Sequence, residues 1–268
     1  MNLYISSFNN PHIKRLQLFI KNNLKRKNEG LFIVEGIKEI NAAIESNYDF
    51  ETVFLCKNLC HDKHLIEKLY ALSDKITILE ISKAVFEGLA YRESTGGIIA
   101  LAYIKAHKLK DIALSNNPFI IVIEAVEKPG NLGAVLRTAD ACGADAVIVC
   151  DQVVDVYNAN VIRSSTGCVF FLPIALAPSA EVIKWLKENH ICIYGATPST
   201  NKYYTDIDYK KPFAITMGSE ANGLSDIWLK EADENIKIPM LGKTDSLNVS
   251  ISTSVIAYEA VRQRCNII

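Results

Sequence analysis

The amino-acid sequence predicts an α/β protein of two domains, and three observations lead to this prediction. Short apolar runs rich in β-branched residues alternate with stretches of helical length from residue 31 onward. In the second half of the chain these runs are apolar throughout, which is typical of parallel strands covered on both faces. A polar, basic and turn-rich stretch, KAHKLKDIALSNNP, separates the two halves.

The expected domains are residues 1–105 and 118–268, with residues 106–117 as the linker. A chain of 268 residues has enough core for two modest domains. In the first domain the predicted strands are FIVE, TVFLC, KITIL and GIIALAYI. The helices between them are expected at residues 36–46, 61–72 and 82–89.

In the second domain the predicted strands are FIIVIEA, AVIVC, VFFLP, CIYGA, FAITMG and IKIP. Helices are expected at residues 131–142, 157–163, 178–190 and 226–232, and a long final helix from about 246 to 264. Because helices regularly separate these strands, we expect a mostly parallel, doubly wound sheet, with a smaller α/β domain before it.

Composition excludes several classes of protein. No window reaches the roughly 18 consecutive apolar residues of a membrane helix, so we expect a soluble, cytoplasmic protein. The seven cysteines are an odd number within mostly apolar segments, which favours buried thiols over disulfides. Cys56, Cys60, His61 and His64 are crowded into one strand end and one helix start, so we expect no metal site there.

The distribution of charge is more informative than the net charge of −1. No acidic residue precedes Glu29, whereas basic residues crowd one short stretch of the N-terminal region. Such a cluster is either a surface for nucleic-acid phosphates or an ordinary solvated helix face. Its members are Lys14, Arg15, Lys21, Lys25, Arg26 and Lys27.

Three unusual loops follow strands of the second domain, where parallel α/β sheets bind their ligands. The first, in EKPGNLGAVLRTADACGADAVIV, turns at Pro129-Gly130 and opens a helix near Asn131. The helix start attracts anions, and Arg137 lies about two turns further on, in an otherwise apolar helix. The spacing is not that of a dinucleotide-binding loop. An ordinary turn followed by a surface arginine remains the alternative.

The second loop, in FAITMGSEANGLSDIWL, places Glu220 between Gly218 and Gly223. Glu220 is expected to bind an amine or a hydroxyl, or to orient Arg137; the alternative is an exposed loop acid. Ser225 is a candidate cap for the following helix.

The third loop joins an apolar wall (Ile236, Ile238, Pro239 and Met240) to the hydroxyl-rich segment TDSLNVSISTS. Asp245 or Ser246 is the expected helix cap. The small residues further along suit close packing, while Ser246 and Asn248 are placed to face a ligand.

Taken together, the loops resemble a known family. NLGAVLRTADACGADAVIV, ITMGSEANGLS, and IKIPM followed by SLNVSISTSVIAYEAVRQR are similar to the three motifs of SpoU/TrmH-family (SPOUT class) RNA ribose 2′-O-methyltransferases, in the family's order. RSSTGCVFFLP and GATP add to the likeness. In the first domain, NNPHIKRL and LFIVEGIKEI resemble the ribosomal-protein-like substrate-binding domain of many members.

The resemblance implies an S-adenosylmethionine-dependent enzyme that methylates a ribose 2′-hydroxyl, and a homodimer with active sites near the interface. It also implies a deep C-terminal trefoil knot. The residues alone would predict a plain doubly wound sheet, since true knots are rare in proteins.

The resemblance also implies roles for particular residues. Arg137 would act on the 2′-hydroxyl, as base or as charge stabiliser; an arginine base is chemically awkward because its pKa normally exceeds about 12. The other polar site residues would be Asn131, Glu220, Ser246 and Asn248. The adenosyl group would contact Thr197, Gly218, Ile238, Met240 and Leu247. RNA would contact Lys14, Arg15, Lys25, Arg26 and Lys27.

Other functions compete with this interpretation. A non-catalytic RNA-binding or ribosome-assembly protein of the same fold is the main alternative, although it would have no need for the whole polar set. An oxidoreductase would require a dinucleotide fingerprint that the sequence lacks. Ribosomal RNA is the favoured substrate because of the extra N-terminal domain, with transfer RNA as the alternative.

Overall fold

The computed structural model describes residues 4–90 and 96–265. The chain divides into two compact units, Met1–Lys105 and Ala106–Ile268. The first unit contains strands β1 (Tyr4–Ile5), β2 (Leu31–Glu35), β3 (Phe50–Leu55), β4 (Thr77–Ile81) and β5 (Ile98–Tyr103). Its helices are α1 (Pro11–Lys21), α2 (Asn23–Asn28), α3 (Ile37–Glu45), α4 (Lys63–Ala71) and α5 (Lys83–Leu89).

The first unit is a mixed sheet in the order β1-β4-β3-β5-β2. β4 runs parallel to both β1 and β3, whereas β5 is antiparallel to its two neighbours. Helix α1 begins at Pro11, after Asn10 caps the His12 N–H, and it buries Ile13, Leu16 and Phe19 in the core of the unit. The sequence pattern predicts β2 to β5 and α3 to α5, but not β1, α1 or α2.

The second unit contains strands β6 (Phe119–Glu124), β7 (Ala146–Cys150), β8 (Ile174–Ala177), β9 (Cys192–Ala196), β10 (Phe213–Met217) and β11 (Glu234–Ile236). Its helices are α6 (Pro129–Ala141), α7 (Ala159–Ser164), α8 (Cys168–Phe171), α9 (Ser179–Glu188), α10 (Asp226–Glu231) and α11 (Val249–Arg264). The six strands lie in the order β11-β9-β10-β6-β7-β8, and every pairing is parallel. The predicted parallel sheet is therefore confirmed.

Three sequence-based predictions in this unit are wrong. The strand expected at IKIP lies earlier, because β11 is Glu234–Ile236. VFFLP is not a strand: Cys168–Phe171 form the short helix α8, and the strand begins only after Pro173, at Ile174. Gly167, at φ 86°, starts that helix, and proline cannot continue a helix because it lacks an N–H. The final helix begins at Val249 rather than near residue 246, and its cap is Asn248 instead of Asp245 or Ser246. The Asn248 side chain accepts the Ser250 N–H, which fixes the helix start there.

Helix α11 packs against α6 and β10, and its C-terminal end is tied to the sheet by Arg264. The Arg264 guanidinium stacks 4.7 Å from the Phe213 ring centroid and donates to the carbonyls of Asn117, Tyr209 and Lys211. The C-terminal end of the helix is thereby anchored. Among the described helices, none is long and apolar enough to cross a membrane. Residues 4–90 and 96–265 contain no group of three or more side chains suited to hold a metal ion.

Candidate active site

The site lies where β9, β10 and β6, adjacent in the sheet, reach their carboxyl ends. The connection from β6 to α6, the loop from β10 to α10, and the segment from β11 to α11 bring their polar residues together there. Hydrogen bonds between residues roughly 90 to 120 positions apart in sequence join these segments. A parallel sheet makes such a meeting possible because its carboxyl ends share one edge.

Glu220 holds the β10–α10 loop against the start of α6. Its Oε1 accepts the Asn131 side-chain N–H at 2.5 Å, and its Oε2 accepts the Glu127 backbone N–H at 3.2 Å. Burial opposes ionisation of Glu220, but hydrogen bonds from Asn131 and from backbone N–H groups outweigh it and hold the pKa of this carboxyl below its ordinary value. The carboxylate is therefore a charged acceptor that orients Asn131.

Asn248 extends this chain of hydrogen bonds to the last helix. Its Nδ2 donates to Asn131 Oδ1 at 3.2 Å, and its own Oδ1 accepts from the backbone N–H and the hydroxyl of Ser250. The hydrogen bonds at the two ends of this series can form in only one direction. The Glu220 carboxylate can only accept, and the Ser250 backbone N–H can only donate. The amides of Asn131 and Asn248 are thus held in one orientation. Each retains a second N–H.

Arg137 is exposed on α6, two turns beyond Asn131. Within the described part of the chain, no hydrogen bond or ion pair engages its guanidinium. The sequence raised the possibility that Glu220 orients Arg137 directly; in the structure Glu220 binds Asn131 and the Glu127 N–H instead. Arg137 consequently presents its donors to solvent or to a bound molecule.

The hydroxyls of the last helix have two uses. Ser250 helps to form the cap, whereas the Thr253 and Ser254 hydroxyls donate to carbonyls one turn earlier on α11. Ser254 Oγ also lies 2.8 Å from Thr138 Oγ1 on α6, next to Arg137. The sequence indicated close packing by these small residues but not this hydroxyl pair, which no local pattern distinguishes.

Ser246 and Leu247 lie immediately before the cap and are exposed. Ser246 makes no hydrogen bond to any described residue, so the structure does not bring it into the Glu220–Asn131–Asn248 chain. Leu247 adjoins Asn248 and is 38% exposed, an apolar side chain open at the edge of the site.

The residues expected to hold the adenosyl group lie on the same edge. The Thr197 N–H donates to the Ile236 carbonyl at 2.9 Å, which places the loop after β9 beside the segment that leads to Ile238. Ile238 and Met240 are half-buried, and Gly218 is buried where the β10–α10 loop folds back on itself through paired Ser219–Gly223 hydrogen bonds. Half-exposed apolar side chains fit the flat face of an adenine ring, and the backbone groups of the surrounding loops suit its polar edge.

The basic residues of the first unit are not equivalent. Lys14, Lys25 and Lys27 are exposed on α1 and α2. Arg26 differs from the expectation, because it is only 8% exposed and donates to the Phe19 carbonyl at 2.9 Å, where it supports the end of α1.

Arg15 is held by carboxylates. It forms two hydrogen bonds to Glu51, at 2.6 and 2.8 Å, and a third to Glu29 at 2.7 Å. The Glu51 hydrogen bonds raise the pKa of Arg15 despite the opposing effect of burial, and they lower the pKa of Glu51. A side chain bound in this way has fewer donors left for phosphates.

Comparison with known proteins identifies both parts of the chain. Residues 118–258 match the SpoU rRNA Methylase family, and residues 10–100 match the MRM3-like substrate binding domain. The chain is 30% identical to the 23S rRNA (uridine(2479)-2′-O)-methyltransferase of Streptomyces viridochromogenes, over 95% of this chain and 91% of the relative. It is 32% identical to the 23S rRNA (guanosine-2′-O-)-methyltransferase RlmB of Salmonella typhimurium, over 87% and 98% of the two chains.

Solved structures agree with these relatives. The SpoU methyltransferase AviRb from S. viridochromogenes, in complex with the cofactor AdoMet, aligns with a TM-score of 0.86 at 29% identity, covering 96% of this chain and 98% of AviRb. A crystal structure described as an RNA 2′-O ribose methyltransferase aligns at 0.83 and 38% identity, covering 98% and 100% of the two chains. The enzyme class and cofactor dependence expected from the three motifs, an RNA methyltransferase that uses S-adenosylmethionine, are thereby confirmed. The chain belongs to the SpoU rRNA methylase family.

Proposed function

We propose that this protein transfers the methyl group of S-adenosylmethionine to the 2′-hydroxyl of a nucleotide in ribosomal RNA. Two relatives that align over more than 90% of their own length are named as 23S rRNA 2′-O-methyltransferases. The similarity to a structure described as a TrmH/SpoU tRNA modifying enzyme covers only 58% of this chain, which favours ribosomal RNA. The observation that carries the proposal is the oriented Glu220–Asn131–Asn248 series of hydrogen bonds, together with an exposed Arg137 on the same helix as Asn131.

Arg137 is the proposed catalytic residue. A 2′-hydroxyl becomes a better nucleophile as it loses its proton, so the site must stabilise negative charge on that oxygen. A guanidinium stays protonated and carries five N–H donors, and Arg137 has no described partner that would occupy them. We assign it the role of binding the 2′-oxygen and stabilising this charge rather than that of a base, so that the hydroxyl proton passes to water.

Asn131 and Asn248 supply further donors in this proposal. Each amide has two N–H groups and uses one of them in the chain to Glu220, so the second is left for the ribose or the adjacent phosphate. Glu220 acts by fixing this orientation. Ser246 is proposed to meet the RNA from the exposed segment before α11.

Thr197, Gly218, Ile238, Met240 and Leu247 are proposed to hold the cofactor. When bound, it would supply a sulfonium methyl group for the RNA oxygen and would leave as a neutral thioether. The protein's task is to present that oxygen in line with the methyl group and at contact distance. Contacts through backbone groups and apolar side chains suit this task because they fix the cofactor's position without contributing a competing nucleophile.

We further propose a homodimer formed through the outer face of α11, together with the knotted C-terminal path expected for the fold. Ile251 and Tyr258 are 53% and 51% exposed, two turns apart on this face, while the opposite face is buried against the unit. A second copy of the chain would cover this apolar stripe and lie close to Asn248. Ile251→Glu should convert the dimer to monomer in analytical ultracentrifugation, with the exposed Ile227→Glu on α10 as control. A chain that is monomeric before mutation would contradict the proposal.

The test of function is transfer of labelled methyl to RNA taken from cells that lack the protein. Ribosomal RNA should accept the label and transfer RNA should not, and mapping the labelled nucleotide identifies the site. Arg137→Ala should lower the rate about a hundredfold or more while still binding the cofactor. The exposed Lys184→Ala on α9 is the control. Equal rates for wild type and Arg137→Ala would disprove the catalytic assignment, and an RNA-binding role would follow if no RNA were labelled.

A further inference from the structure

A second carboxylate, Glu124, joins the same two loops as Glu220, and it belongs to none of the three motifs. Glu124 is the last residue of β6 and is only 6% exposed. Its Oε2 accepts the Ser225 backbone N–H at 2.8 Å, and its Oε1 accepts the Ser225 hydroxyl at 2.5 Å. A buried acid receiving two donors from one residue forms a specific and directional clamp.

Glu124 and Glu220 join the same two segments, but each belongs to a different one of them. Glu124 extends from the β6–α6 connection to Ser225, at the end of the β10–α10 loop. Glu220 extends from within that loop back to Glu127 and Asn131. The first residue of the loop, Gly218, follows Met217, which pairs with Ile123 of β6. The loop is therefore fixed at its two ends, by strand pairing and by Glu124, and Glu220 lies between these fixed points.

The hydrogen bonds between Ser225 and Glu124 cost helix α10 a capping interaction. Ser225 is the residue before α10, where a serine normally caps its own helix, yet its side chain makes no such bond. Its hydroxyl is directed to Glu124 instead. Helix α10 thus lacks a side-chain cap, because the Ser225 hydroxyl holds the end of the β10–α10 loop instead.

We infer that Glu124 and Ser225 are positioning residues that hold Glu220, and through it Asn131, in the arrangement required for methyl transfer. This inference rests on the proposed function. Without the clamp, the loop keeps its strand pairing but its far end can shift. Displacement of catalytic groups by about 1 Å can lower rates by up to about a hundredfold.

The neighbouring side chains provide a matched control. Ser179 lies beside Glu124, but its hydroxyl donates to Asp151 at 2.5 Å and accepts from Trp228 at 2.8 Å. Its separation from Glu124 is 3.5 Å, too long for a strong hydrogen bond. Ser179→Ala therefore disturbs the same buried region and leaves the clamp to Ser225 in place.

The experiment measures kcat, KM for ribosomal RNA, cofactor affinity and Tm for Ser225→Ala, Ser225→Thr, Glu124→Gln and Ser179→Ala. Ser225→Ala and Glu124→Gln should lower kcat about tenfold, with KM and cofactor affinity within about twofold. Ser225→Thr retains the hydroxyl and should restore most of the rate. Ser179→Ala should keep the wild-type kcat even if its Tm falls as far as that of Ser225→Ala or Glu124→Gln.

Several results would overturn the inference. Wild-type kcat in Ser225→Ala, equal loss in Ser179→Ala, or no rescue by threonine would each reduce the clamp to a purely structural role. If Glu124→Gln does not fold, the exposed residue Ser225 still decides the question. Wild-type protein that labels no RNA would instead refute the proposed function, and this inference with it.

Discussion

Asn248 combines two tasks in one side chain, and they can be separated. Its Oδ1 caps α11 and its Nδ2 donates to Asn131. The sequence indicated that this residue faces the site, but not that it is the cap, because Asp245 and Ser246 are equally good capping residues. Only the three-dimensional path of the chain decides which of the three begins the helix.

We predict that Asn248→Asp preserves the helix cap and abolishes most activity. An aspartate caps a helix as well as an asparagine does, but it cannot donate to Asn131. Asn248→Ala should lose activity and also about 1 kcal/mol of unfolding free energy. Urea unfolding and methyl-transfer rates, measured on the same samples, test the separation. Full activity in Asn248→Asp would show that the donor is not needed.

We also predict the pH dependence of the contribution of Glu220 to stability. Its pKa is lowered in the folded state, so its charged form contributes stability at pH values above the ordinary carboxyl pKa of roughly 4.3. That contribution is lost as the pH falls through the lower folded value. The difference in unfolding free energy between wild type and Glu220→Gln should stay constant from about pH 8 to 5 and narrow below about pH 4. A difference in unfolding free energy that grows as the pH falls would contradict the predicted direction.

At the scale of elements, the site depends on how closely α6 packs against α7. Gly133 of α6 is buried, and a Cβ built there would lie 1.9 Å from Ser164 Oγ and 2.8 Å from the Val161 carbonyl oxygen. The second contact is with backbone, which cannot rotate away. Glycine is therefore required by the close approach of the helices rather than by its backbone conformation.

We predict that Gly133→Ala lowers the unfolding free energy by about 1–3 kcal/mol, because the helices must separate. Gly130→Ala, on the first turn of the same helix, has nothing within 4 Å of the added Cβ and is the matched control. Thermal unfolding of both variants tests this. If the double variant Gly133→Ala/Ser164→Ala recovered full stability, the Val161 contact would have no effect.

Local sequence was a good guide to elements that are long and apolar, and a poor one where a short apolar run is ambiguous. FIIVIEA and FAITMG are correctly predicted as strands, since both are central in a parallel sheet. VFFLP is also a short apolar run, but its first three residues lie in the helical turn α8, which packs beside α6. A five-residue apolar run satisfies either structure, and tertiary packing makes the choice.

For the whole molecule, we predict that the first unit contributes RNA affinity and not catalysis. Lys14→Glu, Lys25→Glu and Lys27→Glu combined should raise KM for ribosomal RNA and reduce its salt dependence, with kcat unchanged, because these exposed charges would meet phosphates. The exposed Lys75→Glu, elsewhere in the unit, is the control for charge. Arg26→Gln should lower stability instead, since Arg26 supports α1. If Lys75→Glu changed KM and its salt dependence equally, the change would be due to net charge and not to the positions of these lysines.

The family could be predicted from the sequence, and the sequence singled out three residues that the structure joins by hydrogen bonds, but those hydrogen bonds themselves could not be predicted. The three motifs identify Asn131, Glu220 and Asn248, whereas the direction of the amides depends on contacts between distant segments. Glu124 has no motif to mark it, although an acid at the end of an apolar strand is a signal that could have been followed. The pairing of Arg15 with Glu51 likewise requires residues 36 positions apart to meet.

The chain of hydrogen bonds through Asn131 has a consequence for the order in which the protein is made. Asn131 meets Glu220 and Asn248 only after 89 and 117 further residues have been added. During synthesis the first unit is complete long before the last helix leaves the ribosome, and contacts of such long range form late in folding. A growing chain can therefore already contain Lys14, Lys25 and Lys27 while it still lacks Asn248, the cap residue of α11. Under the proposed function, methyl transfer would therefore begin only after Asn248 has been made and has joined Asn131.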